Sequence, residues 1–393
     1  MKKSLLALAV TGAFAAPAFA QNSVTLYGII DAGITYTNNS AGHGLWQAQS
    51  GIVQGSRWGL KGSEDLGGGT KAIFQLENGF NVFNGRLGQG SREFGRQAYV
   101  GLTNETYGTL TLGRQYDSIV DMVQATTFNG QWGALFSHPS DIDNTDNGFR
   151  VNNAVKYVTP KWNGLQAEGM YAFGGVAGNF RQNSTLSTGL SYSAGPLYLG
   201  AAYFFARNPA AQFDDGNFVT NIGTAAAPVS PLVGSSNGKG AFGYVGNPGS
   251  METFGVGGSY AFGPATVGVN YTHVRYDNAN QGAANLPAGV RDAVWFQSAE
   301  LWGQYSLTPA TTLGLGYTYT DGKDSVSGVK PKWHQFNAIA DYRLSKRTDV
   351  YVMGIYQHAS GADAKADIYD GVSGSQSTTP NQVAARVGIR HKF

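Results

Sequence analysis

The densest potential for chemistry lies between Asp117 and Phe149. That stretch holds five aspartates, Asp117, Asp121, Asp141, Asp143 and Asp146, and not one Lys or Arg. Carboxylates so concentrated can ligate cations, exchange protons or set a local field. The first two uses lack partners in the sequence. Six histidines (43, 138, 273, 334, 358 and 391) form no H-x-x-x-H or clustered carboxylate pattern, and with no cysteine there is no thiolate ligand or disulfide framework. Ser137-His138 lies in the stretch without a nucleophile elbow or triad spacing, so it reads as a turn. Gly67-Gly68-Gly69 opens a strand and not a helix, so it is a turn and not a phosphate loop. No enzyme, metal or cofactor is expected, and the acids are left with a field to set. The stretch lies between two strand-like segments and does not alternate itself; such a long irregular run is usually functional or disordered.

The ends and the composition say what kind of scaffold must hold it. Residues 1–20 read as a secretory signal: Lys2 and Lys3 form a basic region, Leu5 to Ala16 an apolar core, and Ala18-Phe19-Ala20 a cleavage site. The apolar part is shorter than the roughly 20 residues a spanning helix needs. Cleavage after Ala20 leaves a single domain over 21–393. Loss of Lys2 and Lys3 takes the 27 basic residues to 25, equal to the 25 acids. A net charge near zero argues against nucleic acid as a partner, and any charge selectivity must come from local arrangement. The mean hydropathy of −0.21 and the lack of a later long apolar run exclude helical spans. A chain that is exported, rich in Gly (56), Tyr (21) and Phe (21), and only 13% charged fits a large exported β-protein or a transmembrane β-barrel.

Segments of about ten residues alternate in hydropathy, as strands with one apolar face do. Ser23–Thr37 places Val24, Leu26, Gly28, Ile30 and Ala32 opposite Thr25, Tyr27 and Asp31. Gln54–Gly62 sets Trp58 and Leu60 against Arg57 and Lys61, and Thr70–Asn78 sets Ala72, Phe74 and Leu76 against Lys71, Gln75 and Glu77. Arg150–Thr159 separates Val151, Val155 and Tyr157 from Arg150, Asn152 and Lys156. Similar splits recur over 313–320 and 335–344, whereas 293–305 and 347–358 alternate poorly and their faces stay unassigned. Connections fall into two alternating sets. Short ones with turn chemistry lie at 64–69, 104–107, 159–163, 194–196, 262–264, 307–310 and 344–347. Long ones span 38–48, 81–91, 117–149, 175–185, 207–251, 276–292, 321–332 and 359–381. Seven short and eight long connections join sixteen strands. An outer-membrane barrel sorts its loops this way, with tight turns at the periplasmic end and long loops outside. Arg386–Phe393 alternates Val387, Ile389, His391 and Phe393 against Arg386, Gly388, Arg390 and Lys392. A last strand with an apolar face and the terminal aromatic Phe393 suits barrel closure, because an edge this hydrophobic invites aggregation unless paired.

Several runs resemble the general diffusion porins of Gram-negative outer membranes. They are Val24 to Gly28, Gly55 to Gly67, Lys71 to Phe80, Phe94 to Leu102, Tyr107 to Tyr116, Phe149 to Tyr157 and Gly388 to Phe393. Their order and spacing cover the whole mature chain. The resemblance implies an all-β, sixteen-stranded homotrimeric barrel in contact with outer-membrane lipid and lipopolysaccharide. It implies passive diffusion of ions and small hydrophilic solutes, and a third external loop folded into the lumen. The third long connection is 117–149. The Pro-Glu-Phe-Gly-Gly motif that enteric members carry there is absent, so no loop acid is assigned by motif.

On that resemblance the basic wall of the pore is expected at Arg57, Arg96, Arg114 and Arg150. Arg57 and Arg150 have the polar parity a lumen position requires. Arg96 has no clear parity, and Arg114 shares parity with Leu110 and Leu112, which face lipid, so a bulge near Gly113 or the strand's end must turn it. Lys61, Lys71 and Glu77 face the lumen by parity. On the loop, Asp117 and Asp121 begin a possible short helix over Ser118–Thr126, with Ile119, Met122 and Val123 against the wall. Asp141 joins Asp143 and Asp146 in a turn cluster that suits either local hydrogen bonds or a pore role. An acidic loop facing a basic wall sets a transverse field, and four wall arginines against about two nearby loop carboxylates predict a weak anion preference. A substrate-specific channel for sugars or organic acids is the alternative.

Overall fold

A computed structural model describes residues 23–213, 241–245, 248–279, 292–326, 328–361, 364–368 and 375–393. The expected signal segment and parts of the connections 207–251, 276–292, 321–332 and 359–381 lie outside the described residues. The strands are β1 (Ser23–Ser40), β2 (His43–Ser50), β3 (Arg57–Gly67), β4 (Thr70–Gly79), β5 (Gln97–Asn104) and β6 (Gly108–Gln115). After the long loop come β7 (Val151–Val158), β8 (Leu165–Ala172), β9 (Thr185–Ala194), β10 (Leu197–Arg207), β11 (Ser250–Phe262) and β12 (Ala265–Asp277). The chain ends with β13 (Ala293–Ser306), β14 (Thr311–Asp324), β15 (Lys332–Arg343), β16 (Thr348–Ser360) and β17 (Asn381–Lys392).

Successive strands pair antiparallel, except that β2 and β3 both pair with β1, and β17 returns to β1, from Ile29 opposite Lys392 to Thr37 opposite Ala384. Past the end of β17, Phe393 and Gly28 exchange backbone hydrogen bonds of 3.0 and 3.1 Å. The sheet is therefore closed through β1, which pairs with β17 on one side and with β2 and β3 on the other. β2 and β3 pair with successive halves of β1, Ser50 opposite Ala32 and Arg57 opposite Ile29. They are one stave broken at 51–56, so the barrel has sixteen staves.

The alternation has its expected meaning. Outward positions such as Val24, Leu26 and Leu315 are exposed for lipid, while Asp31, Thr35 and Thr37 on the opposite face of β1 are buried. One connection differs from expectation. Residues 38–48 are not a long loop but a hairpin with a two-residue turn at Ala41-Gly42, where both φ angles are positive. Polar, small residues there suggest a loop, yet they pair across the tight turn that the left-handed backbone permits.

Stretches with poor alternation have a physical cause. The lumen faces of β13 and β16 carry Trp302, Tyr351, Met353 and Ile355, and these are covered by Phe128, Trp132, Leu135 and Phe136 of the infolded loop. A wall under a second layer is dry, so period-two polarity is lost. Burial of each such side chain contributes about 1.5–3 kcal/mol. A second cluster joins Ile119, Met122, Val123 and Phe149 of the loop to Phe204, Val274, Phe296 and Trp333 of the wall.

Candidate functional site: a basic wall and an infolded loop

The loop leaves β6 at Tyr116 and crosses the lumen in short turns. A helical turn at Ile119–Val123 and a 3-10 turn at Gln124–Thr126 lie against β9–β12. Close approach is possible because small residues floor this wall: a Cβ at Gly200 would sit 1.9 Å from the Met122 carbonyl, and one at Gly257 would sit 2.2 Å from Thr126 Oγ1. Tyr198 Oη donates to the Met122 carbonyl at 2.9 Å, and Trp302 Nε1 to the Thr126 carbonyl at 2.7 Å. The helix Phe128–Trp132 follows, with Thr127 Oγ1 accepting from Gly130 N at its start. Ala134 N then donates to Ile52 O at 2.7 Å, so the loop docks on the break in the second stave.

That break is itself held. Asp31 Oδ2 accepts from Val53 N at 2.6 Å and Gln54 N at 2.9 Å, while its Oδ1 accepts from Tyr351 Oη at 2.6 Å. Arg386 completes the knot, 3.5 Å from Asp31 and donating to Tyr351 Oη, Thr35 Oγ1 and Gln49 O at 2.9–3.0 Å. Both charged side chains are fully buried. A buried pair needs such saturation by hydrogen bonds.

Arg57 emerges directly after the break. Its Nε lies 3.6 Å from Glu77 Oε2, and its Nη1 donates to Gly55 O at 3.0 Å. Glu77 is a hub: it also accepts from Arg96 Nε (2.7 Å), Tyr27 Oη (2.8 Å) and Tyr116 Oη (3.1 Å). Arg96, just before β5, extends Nη2 to Tyr116 Oη at 3.0 Å. Arg150 places its guanidinium 5.8 Å from the centre of the same Tyr116 ring. Three of the four expected arginines therefore gather around Tyr116 and Glu77. Arg114, buried as Arg150 also is, donates instead to Gly95 O at 2.8 Å and Asn152 Oδ1 at 2.5 Å. The β6–β7 register shifts between Gly113 and Gln115, and Gly113 has φ +139°, a conformation glycine adopts without strain. This bulge turns Arg114 away from the lipid side that Leu110 and Leu112 occupy.

The loop acids divide. Asp121 is exposed, with Lys156 Nζ 2.5 Å away and Glu168 within 4.0 Å of the same amine. Asp117 and Asp141 are buried inside the loop and serve its backbone, contrary to a place on the aperture. Asp117 Oδ1 accepts from Ile119 N at 2.8 Å and Oδ2 from Asn144 Nδ2 at 2.6 Å, and burial lifts its carboxyl to about 6. Asp141 accepts from Asp146 N and Gly148 N at 2.8 and 2.9 Å. Burial, with Asp146 and Asp143 nearby, pushes its carboxyl well above the usual range. The orphan N–H groups of a loop in a dry interior demand acceptors, and short acids supply them. Lys61 and Lys71 are exposed toward the short-turn end; Lys61 Nζ lies 5.4 Å from the Tyr27 ring centre.

His138 is not a surface turn residue. It is fully buried, with Nδ1 2.5 Å from Asp143 Oδ2 and Nε2 3.7 Å from Glu300 Oε2. Burial opposes its charge, but the two carboxylates outweigh it and lift the imidazole to about 10. Sequence reading missed this group, along with Asp31–Arg386. The one available signal was a glutamate, Glu300, in a strand whose polarity did not alternate.

A closed barrel with one face for lipid, a polar lumen and a loop across it defines a membrane channel. The profile of the Gram-negative porin family matches residues 6–362. An outer membrane porin protein of Bordetella pertussis and outer membrane porin protein 32 of Delftia acidovorans are each 30% identical over the full length of both chains. Among solved structures, an anion-selective porin from Comamonas acidovorans superposes with a TM-score of 0.71 at 23% identity, covering 95% of this chain and 100% of that one. OmpT of Vibrio cholerae in its trimer form gives 0.67 at 15% identity, over 95% and 99% of the two chains. The chain belongs to the Gram-negative porins: it is an outer-membrane channel for passive diffusion of solutes.

Proposed function

We propose that this porin prefers anions weakly, and that the preference is set where Arg57, Arg96 and Arg150 face the lumen around Glu77. The supporting observation is the charge balance at this level. Arg57, Arg96, Arg150 and Lys156 stand against Glu77, Asp121 and Glu168, while Asp117 and Asp141 are turned into the loop. Charges in a narrow channel with low-dielectric walls are weakly screened, so a small local excess of positive charge suffices to bias flux. A structural relative is described as anion-selective, which agrees with this reading.

The same reading takes the mature barrel as residues 21–393 after signal removal, assembled as a homotrimer among outer-membrane lipid and lipopolysaccharide. Lys61 and Lys71 would act as vestibule charges below the constriction. Transport is passive and no catalysis is assigned. Among the described residues, the large aromatic side chains Phe128, Phe136, Trp302 and Trp333 are buried between loop and wall and so are not offered to a sugar in the passage. Reversal potentials in a salt gradient test the proposal. Anion preference supports it, and cation preference contradicts it.

A further inference from the structure

We propose that His138 is a positioning residue for the constriction: clamped between Asp143 of the loop and Glu300 of the wall, it fixes how far the loop reaches into the lumen. The inference rests on 117–149 being the constriction of a conducting pore.

The geometry is that of a three-point anchor. His138, Asp143 and Glu300 have no exposed side-chain surface. Glu300, on β13, accepts from Phe128 N of the loop at 2.7 Å and from Thr318 Oγ1 of β14 at 3.1 Å. Asp143 accepts from Thr145 Oγ1 at 2.9 Å and from Thr272 Oγ1 of β12. On β15, Gln335 Nε2 donates to the Ser137 carbonyl at 3.1 Å, beside the histidine. The other titratable groups at this interface are Asp141 on the loop and Tyr276 on β12, which both lie within electrostatic reach of Asp143; Tyr276 Oη donates to Ile142 O at 3.1 Å. Three loop residues are thus tied to three strands through one imidazole and two carboxylates.

Two buried carboxylates repel each other and are costly to hold away from water. An imidazolium between them cancels one charge and links loop to wall. Its proton is retained to about pH 10, so the anchor keeps the same charge state throughout the neutral range. Without the imidazolium, burial raises the Asp143 carboxyl with its chief counter-charge gone, and it must either take up a proton or move away from the wall. Loop position then depends on pH, low pH holding the loop and high pH releasing it.

Single-channel conductance of the native porin and of His138→Gln, in planar bilayers at pH about 5 and about 9, tests this. The native channel is expected to hold one conductance level at both values. His138→Gln is expected to match it at the lower pH and, at the higher, to shift by about twofold with added current noise, as an aperture of changed width would. A His138→Gln channel indistinguishable from native at both values overturns the proposal while leaving the porin reading intact. A native chain that conducts no ions overturns both. If His138→Gln does not insert, Glu300→Gln takes its place. That variant keeps an acceptor for Phe128 N but removes the wall charge. Raised current noise supports the anchor, and a trace identical to native overturns it.

Discussion

Arg57 and Arg96 share one carboxylate unequally: Glu77 lies 2.7 Å from Arg96 Nε but 3.6 Å from Arg57 Nε. Arg57 is also the more exposed, at 20% of its side chain against 12%. Arg57 is the guanidinium with the larger share of its field left for passing ions, and Glu77 is the charge that moderates it. Glu77→Gln keeps the shape and one acceptor but removes a unit of negative charge. Its permeability ratio of chloride to potassium should rise above native, most clearly at low ionic strength, where screening is weakest. A ratio equal to native would mean that Glu77 does not influence the lumen.

Asp31 and Arg386 test the scaffold rather than the lumen. Asp31→Ala leaves Arg386 buried without its counter-charge and frees Val53 N and Gln54 N. Breaking a buried pair from one side costs about 3–5 kcal/mol. The barrel should denature at a lower temperature. Its conductance should also become heterogeneous, because the break at 51–56 carries both Arg57 and the docking point of Ala134. Thermal unfolding followed by circular dichroism, beside single-channel traces, reads both effects.

The small-residue floor under the loop predicts a loss of aperture. Gly200→Val places branched carbon where the Met122 carbonyl now lies, 1.9 Å from the ideal Cβ. The strand is held by pairing on both sides, so the loop must yield and move inward. Overpacking of this kind costs about 1–3 kcal/mol, and single-channel conductance should fall. The outward neighbour gives the control: Ala201→Val should leave conductance unchanged.

Asp117 predicts a pH dependence of opposite sense to that of an ordinary surface acid. Its carboxyl is raised from 3.8 to about 6, chiefly by burial. A raised folded value means that the favourable contribution is complete below about pH 4, is lost as pH rises to about 6, and is constant above that. Infrared titration should show a protonated carboxyl band disappearing with a midpoint near 6. Asp117→Asn should remove that band. A band that persists in the variant would assign the titration to another acid.

How much of this was legible beforehand follows from how far each feature is local. Strand faces in β1, β3 and β4 follow from alternation, and the place of the loop follows from the two loop sets; in β7 the register shift moves Val151 from the expected lipid side into the cluster under the loop. Ile119, Met122 and Val123 are buried as helical spacing suggests. What the loop does with its acids was not legible. Asp117, Asp121 and Asp141 are the same residue type in the same run, and only the fold decides which caps a turn and which meets Lys156. Arg114 needed a register shift that one glycine enables. The hairpin at 38–48 looked like a loop because its composition is polar, while its pairing with itself is not a property of composition. β13 and β16 lost their period because another part of the chain covers them. Gly189, Gly200, Gly255 and Gly257, all on lumen parity, were the overlooked sign of that second layer.

The central claim is that excess positive charge around Arg57 sets a weak anion preference. The direct measurement is the zero-current potential of native and Arg57→Ala channels in a tenfold potassium chloride gradient, where an ideally selective pore gives about 59 mV and a nonselective one gives none. Native channels should give a small potential of the sign that marks chloride as more permeant, and Arg57→Ala should bring it toward zero or reverse it. A native potential of the potassium-preferring sign, or one that Arg57→Ala leaves unmoved, would contradict the account.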